Sequence, residues 1–349
     1  MRRHIWSQLG LHHQCERGAV EVDGEVVGYT LCEVGEAHDG PRAAGPEAGA
    51  LGGNLNVYVP GHGQSAVAAS SLLAAIVILS RSQLVWAIDV DPPRGGDPAR
   101  AAALVKIVRQ KAGQVFGHCD RVSEKVPQVT MFGWSHGAIE AMLAAERAPD
   151  LIPRVVCLCP AGLVERAPAE LVARFVKECL CICWNSLLRS HWTISRIAAV
   201  GCNLLLGIVR DSLRCRSLRR AIHDVRWGAR KVVGEDYSYN GTVVLVFGTD
   251  DSVIRWRDVF PACQDPGDVG RSLEEYRAHN FPKVQRLGVQ VLDGSHMAPE
   301  VDSAVFVRTG LDLLDGDHVR PYGPHLRVQE THQRAHPRKP RGYARCLSG

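Results

Sequence analysis

Short apolar runs alternate with helical spacings along most of the chain. Leu55–Val59, Leu84–Val90, Gln128–Phe132, Arg154–Cys159, Thr242–Phe247 and Val289–Leu292 are dominated by apolar residues at consecutive positions, the pattern of strands covered on both faces. Between them, Asp97–Gly113 carries Ala101, Leu104, Val105 and Val108 at helical spacing, and Ala138–Arg147 places Ile139, Met142 and Leu143 on one face. Ala66–Leu79 is apolar on nearly every face, which predicts a buried helix. Further helices are expected near Ser272–His279 and at Val301–Leu314, and Ala19–Cys32 reads as two antiparallel strands around Asp23-Gly24. Strands alternating with helices predict an α/β fold with a mostly parallel, doubly wound sheet.

From Val164 to about Tyr239 the alternation stops. Helical spacings dominate there and no strand pattern emerges, so this block reads as an insertion. Glu36–Asn54, rich in Gly, Ala and Pro, reads as a loop. The organisation that follows is an N-terminal extension over 1–17, a core over 18–163, a helical block over 164–239, a second part of the core over 240–316, and a tail over 317–349 that is polar, basic and expected to be disordered.

Charge sharpens that division. The chain has 349 residues and a formal charge of +4, but Val319–Gly349 carries seven Lys or Arg against Glu330 alone, which leaves residues 1–318 at −2. A core of that charge has no nucleic-acid footprint, and no nucleic-acid partner is expected. Twelve cysteines are present, many in apolar runs, with no C-x-x-C spacing for a zinc site and no disulfide-framework spacing. They read as small hydrophobes in a reducing, cytoplasmic protein. Met-Arg-Arg at the start is followed by His-Ile-Trp-Ser-Gln rather than an apolar stretch, so no signal peptide is expected. No apolar run reaches the length of about 18 residues needed to cross a bilayer.

Three positions carry candidate chemistry. Gly133-Trp134-Ser135-His136-Gly137 fits G-x-S-x-G, in which a serine sits on a strained strand-to-helix turn between small neighbours. The pattern is expected by chance roughly 0.2 times in a chain this rich in glycine, but here a strand leads in and a helix leads out. A serine hydroxyl needs a base at neutral pH. Among 15 histidines, His296 in Gly294-Ser295-His296 stands just past the last strand, at the strand end where open α/β sheets bind ligands. The base in turn needs a carboxylate, and Gly248-Thr249-Asp250-Asp251 supplies two competitors after the preceding strand.

In this order, Ser135, then acid, then His296, the chain resembles the α/β-hydrolase superfamily. The resemblance covers about residues 18–316. It implies that Gly-x-x-Asp places Asp251 as the triad acid. It also implies that His62-Gly63-Gln64 is the oxyanion loop and that Val164–Tyr239 is the inserted helical cap. Backbone N–H groups of Gln64 and His136 would then bind the oxyanion. His62 buttresses its loop, and His62, Trp134 and Met297, with the His136 ring, are candidates for lining the substrate pocket.

The function this implies is hydrolysis of a carboxylic ester or related acyl bond through an acyl-enzyme on Ser135, with no cofactor and no metal. The apolar block Phe175-Val176, Cys179–Trp184 and Ile197–Val209 points to a small-molecule substrate with an apolar part, although the same residues would serve to pack the cap on the core. A weak membrane-surface contact through the cap or the tail is a secondary expectation. Relatives act as thioesterases, peptidases, C–C hydrolases or cofactor-free haloperoxidases, and a non-catalytic binding protein on the same fold is the alternative from another class.

Overall fold

The computed structural model describes residues 10–36, 54–61, 64–66, 69–80, 82, 84–116, 128–189 and 215–316. The expectations for His62-Gly63, for the Glu36–Asn54 loop between its ends, for 190–214 of the insertion and for the tail fall outside these residues.

Eight described strands form one sheet: β1 (Leu11–Val22), β2 (Glu25–Glu36), β3 (Asn54–Val59), β4 (Leu84–Val90), β5 (Gln128–Trp134), β6 (Arg154–Leu158), β7 (Thr242–Gly248) and β8 (Arg286–Leu292). Their order is β1-β2-β4-β3-β5-β6-β7-β8. The first three in that order pair antiparallel, and every pairing from β4 to β8 is parallel. The main helices are α1 (Ser70–Ser80), α2 (Asp97–Phe116), α3 (His136–Arg147), α4 (Pro168–Arg189), α5 (Cys215–Gly228), α6 (Val269–Asn280) and α7 (Ser303–Asp315). Helices α4 and α5 lie between β6 and β7 in sequence, the place expected for the insertion.

Continuous apolar strands arise because both faces are covered. Successive residues enter opposite layers: Val57 and Val59 with Trp86 and Ile88 on one side, Tyr58 with Val85 and Ala87 on the other. The first layer receives Leu104 and Val108 of α2 and Ile139 and Met142 of α3. The second receives Leu72, Leu73 and Ile76 of α1 and Phe306 and Val307 of α7. Each such side chain contributes about 1.5–3 kcal/mol on burial. This sandwich brings the C-terminal ends of β5, β7 and β8 to one edge of the sheet.

Four expectations are corrected. Helix α1 begins at Ser70 rather than Ala66, and it is one-sided: Leu72, Leu73, Ile76 and Val77 are buried while Ile78 is 55% exposed. The hairpin reaches back to Leu11, so residues 11–17 belong to a strand and not to an extension. An edge ribbon needs no continuous apolar run, and much of β1 is exposed or half-buried. The last helix is broken at Asp302, whose φ of −115° and ψ of 44° separate the turn Ala298–Val301 from α7. Finally, Cys15 and Cys32 form a disulfide. They are direct partners across the β1–β2 pairing with Cα atoms 4.1 Å apart, so the free-thiol reading fails for this pair. Cys157, Cys159 and Cys263 are free and buried, as apolar surroundings suggest. Among the described residues, no helix is long and apolar enough to cross a membrane.

Phe306, fully buried between α7 and the sheet, is the sharpest test of this layer. Phe306→Ala is expected to lower the stability measured by denaturant unfolding by about 3–5 kcal/mol.

Candidate active site

Strand β5 ends at Trp134 and α3 begins at His136, so Ser135 is the whole connection. Its backbone sits at φ 52°, ψ −118°, a conformation that costs a non-glycine residue about 1–3 kcal/mol. The turn is held against that cost. The Ser135 N–H donates to the Leu158 carbonyl at 2.9 Å, and the Ser135 carbonyl accepts from the N–H groups of Ala138 and Ala161, each at 3.1 Å. Helix α3 also runs close to β3: a Cβ on Gly137 would lie 2.3 Å from the Val59 carbonyl oxygen, so only glycine fits there.

The acid and the histidine come from the two next strand ends. Their loops touch through backbone: the Thr249 N–H donates to Leu292 at 2.7 Å and the Asp250 N–H to Gly294 at 2.9 Å. A Cβ on Gly248 would strike the Gly294 carbonyl oxygen at 2.3 Å, which explains the glycine of Gly-x-x-Asp. Of the two candidate acids, Asp250 is exposed and Asp251 is buried. Asp251 Oδ1 accepts from the N–H groups of Val253 (2.9 Å) and Ile254 (2.7 Å). Its Oδ2 lies 2.8 Å from His296 Nδ1, and His296 Nε2 lies 2.9 Å from Ser135 Oγ. With the ring proton on Nδ1 donated to Asp251, Nε2 is free to accept the serine proton. Burial opposes charge on His296, but the adjacent Asp251 carboxylate, its hydrogen bond and the charge of Glu178 outweigh it and raise the ring's pKa above the ordinary 6.5.

The other predicted residues divide. The Gln64 N–H donates to the Gly61 carbonyl at 3.1 Å, so it is spent in a turn and is corrected as an oxyanion donor. The Gln64 side chain is instead a brace, accepting from the Tyr58 hydroxyl at 2.5 Å and donating to Glu300. As the first residue of α3, His136 has a backbone N–H without a helical acceptor, beside the serine. Its ring turns into the protein interior, against Asp97 and Glu140. Trp134 is buried, its ring centroid 5.8 Å from that of His296, and its indole N–H donates to the His296 carbonyl at 3.2 Å. Met297 is partly buried against the core beneath α7.

No family model matches the sequence, and no curated protein matches it. Solved structures do match in shape. A membrane phospholipase A, a bacterial virulence factor, superposes with a TM-score of 0.53 at 15% identity, over 90% of this chain and 89% of its own. An esterase from Thermogutta terrifontis gives 0.53 at 12% identity, over 87% of this chain and 100% of its own. A meta-cleavage product hydrolase from Pseudomonas fluorescens gives 0.52 at 14%, over 86% and 98%. The chain has the α/β-hydrolase fold.

Behind the Ser135 turn, this α/β-hydrolase fold buries a charge cluster that the sequence did not announce. Arg100 Nη1 lies 2.8 Å from Glu140 and 3.0 Å from Asp224, and Nη2 donates to the Val90 carbonyl at 2.9 Å. The His136 ring spans two acids, with Nε2 3.1 Å from Asp97 and Nδ1 3.3 Å from Glu140. Burial opposes its charge, yet Asp97 and Asp224, with close contacts to Asp97 and Glu140, push its pKa up to about 10. Among the described residues, three donor sets come within metal-binding reach of one another: His13, Cys15 and Cys32; Cys159, Asp251 and His296; and Asp97, His136 and Glu140. The first holds the disulfide, the second contains the Asp251–His296 pair, and the third already has the Arg100 guanidinium as its cation.

A folded-state pKa raised above the unfolded value stabilises the protein below about pH 6.5, and that contribution is lost as pH rises through about 10. Stability should therefore fall between roughly pH 7 and pH 8, below the unfolded titration of thiols at about 8.5 and of phenols at about 10. His136→Gln should flatten this slope in denaturant unfolding at several pH values. An unchanged slope would mean that His136 is neutral in the folded protein.

Proposed function

We propose that the chain is a serine hydrolase that cleaves a carboxylic ester through an acyl-enzyme on Ser135. The observation that carries this reading is the unbroken chain Ser135 Oγ, His296 Nε2, His296 Nδ1, Asp251 Oδ2, with every member buried and the carboxylate fixed by two backbone N–H groups. Ser135 Oγ attacks the ester carbonyl carbon and its proton passes to His296 Nε2. The imidazolium so formed is stabilised by Asp251, which stays ionised. The His136 N–H meets the negative oxygen of the tetrahedral intermediate, a contribution of about 3–4 kcal/mol for such a donor. His296 gives its proton to the leaving alcohol, then takes one from water as that water attacks the acyl group. Acid is released and Ser135 is restored, with no cofactor drawn upon.

The esterase and phospholipase among the structural neighbours act in keeping with this choice of bond. Val172, Val176 and Leu180 form an exposed ridge four residues apart on α4, which supports a secondary contact of the cap with lipid. A cytoplasmic location rests on the buried thiols Cys157, Cys159 and Cys263, and the Cys15–Cys32 disulfide counts against it.

Nitrophenyl esters of increasing chain length test the reading. Ser135→Ala should abolish turnover with circular dichroism unchanged. Asp251→Asn should lower kcat by about 10⁴, as in serine-protease triads, because the amide favours the wrong histidine tautomer, whereas Asp250→Asn should have little effect. Because the pKa of His296 is raised, the acid limb of kcat/KM should lie above pH 6.5. Turnover retained by Ser135→Ala would end this reading, and a greater loss from Asp250→Asn would move the acid.

A further inference from the structure

Helix α4 presents much of its surface to solvent, with Val172, Val176 and Leu180 at 44%, 50% and 65% exposure, but it buries one carboxylate, Glu178, at 4%. Burying a carboxylate is costly unless hydrogen bonds replace its water. Glu178 finds those bonds at the two loops that carry Asp251 and His296. Its Oε1 accepts the His296 backbone N–H at 3.0 Å. Its Oε2 accepts the Ser252 hydroxyl at 2.5 Å, with the Ser252 N–H at 3.4 Å. Ser252 is the immediate neighbour of Asp251. A single side chain from the insertion thus spans from one residue beyond the acid to the histidine itself.

We infer that Glu178 is a positioning residue through which α4 holds the acid loop and the histidine loop together and places a negative charge beside His296. The inference rests on the serine-hydrolase reading above. Backbone contacts already join the two loops below the site, at Thr249 with Leu292 and Asp250 with Gly294. Glu178 closes them from above, and it does so with an ionised acceptor, whose hydrogen bonds are roughly twice as strong as neutral ones. The remaining groups around the ring are the Asp251 carboxylate, the Cys159 thiol beside it and the Ser135 hydroxyl, with Arg166 acting on Asp251 from the start of the insertion. Helix α4 has a second tie to this region, where Arg174 lies 2.6 Å from Asp258. Displacing α4 would release Ser252 and His296 at once.

The test needs no knowledge of the substrate. The rate at which a fluorophosphonate labels Ser135 is measured against pH for the full chain, for Glu178→Gln and for Ser252→Ala, with melting temperatures alongside. Glu178→Gln keeps the shape and loses the charge. It should lower the plateau rate about tenfold, the worth of one charge-assisted hydrogen bond, and move the acid limb to lower pH, because removing a negative charge makes the ring easier to deprotonate. Ser252→Ala should slow labelling several-fold and leave the limb in place. A limb that stays put in Glu178→Gln, with the rate reduced uniformly or not at all, overturns the inference. If Glu178→Gln does not fold, a wild-type rate in Ser252→Ala overturns it instead. Failure of the wild-type chain to label at Ser135 overturns the hydrolase reading itself, a separable result.

Discussion

The pairing of β7 with β8 does not stop where the strands end. Beyond Gly248 and Leu292 the two chains stay in backbone contact through Thr249, Asp250 and Gly294, so closely that no side chain fits at position 248. This contact fixes the distance between Asp251 and His296 before either side chain is considered. It follows from parallel register, which starts both loops at the same height above the sheet. Parallel register in turn requires helices on both faces, and so depends on the two apolar layers.

The serine is held by different means. Its backbone is strained, and the strain is balanced by β6, whose end accepts the Ser135 N–H, and by the segment after β6, which donates to the Ser135 carbonyl. The next residue, His136, buries its ring among Asp97, Glu140 and Arg100 rather than turning it to the substrate. The first turn of α3 is therefore anchored electrostatically to α2, and through Arg100 and Asp224 to α5 of the insertion. Two helices between β6 and β7 are thus tied to this region, α4 by Glu178 to the His296 and Ser252 loops and α5 by Asp224 to the Arg100 cluster.

Much of this was legible in the sequence because it is periodic. Continuous apolar runs marked the parallel strands within a few residues, and the ends of those runs located Ser135, His296 and the pair Asp250–Asp251, from which the resemblance to α/β-hydrolases singled out Asp251. Gly137 was legible as the small neighbour that a tight serine turn needs, and Gly248 through the Gly-x-x-Asp of the resemblance; in the structure both stand where two backbones approach. Glu178, Arg100, Asp97, Glu140 and Asp224 had no such signal. They lie far apart in sequence, and a lone acid within a helix reads as a solvated face. Gln64 failed as an oxyanion donor because motif position says nothing about whether an N–H is already committed. The disulfide was within reach. The Asp23-Gly24 turn sets Val22 opposite Glu25, and counting seven residues outward along each strand sets Cys15 opposite Cys32. The polar make-up of β1 hid the strand along which to count.

The central claim is that one serine among many is made nucleophilic by its position. Peptide mapping by mass spectrometry after fluorophosphonate treatment tests it most directly. The account predicts a single phosphonylated residue, Ser135, in the native chain, with the adduct lost in urea-unfolded protein and in His296→Ala. Modification spread over several serines, or retained at Ser135 without His296, would contradict it.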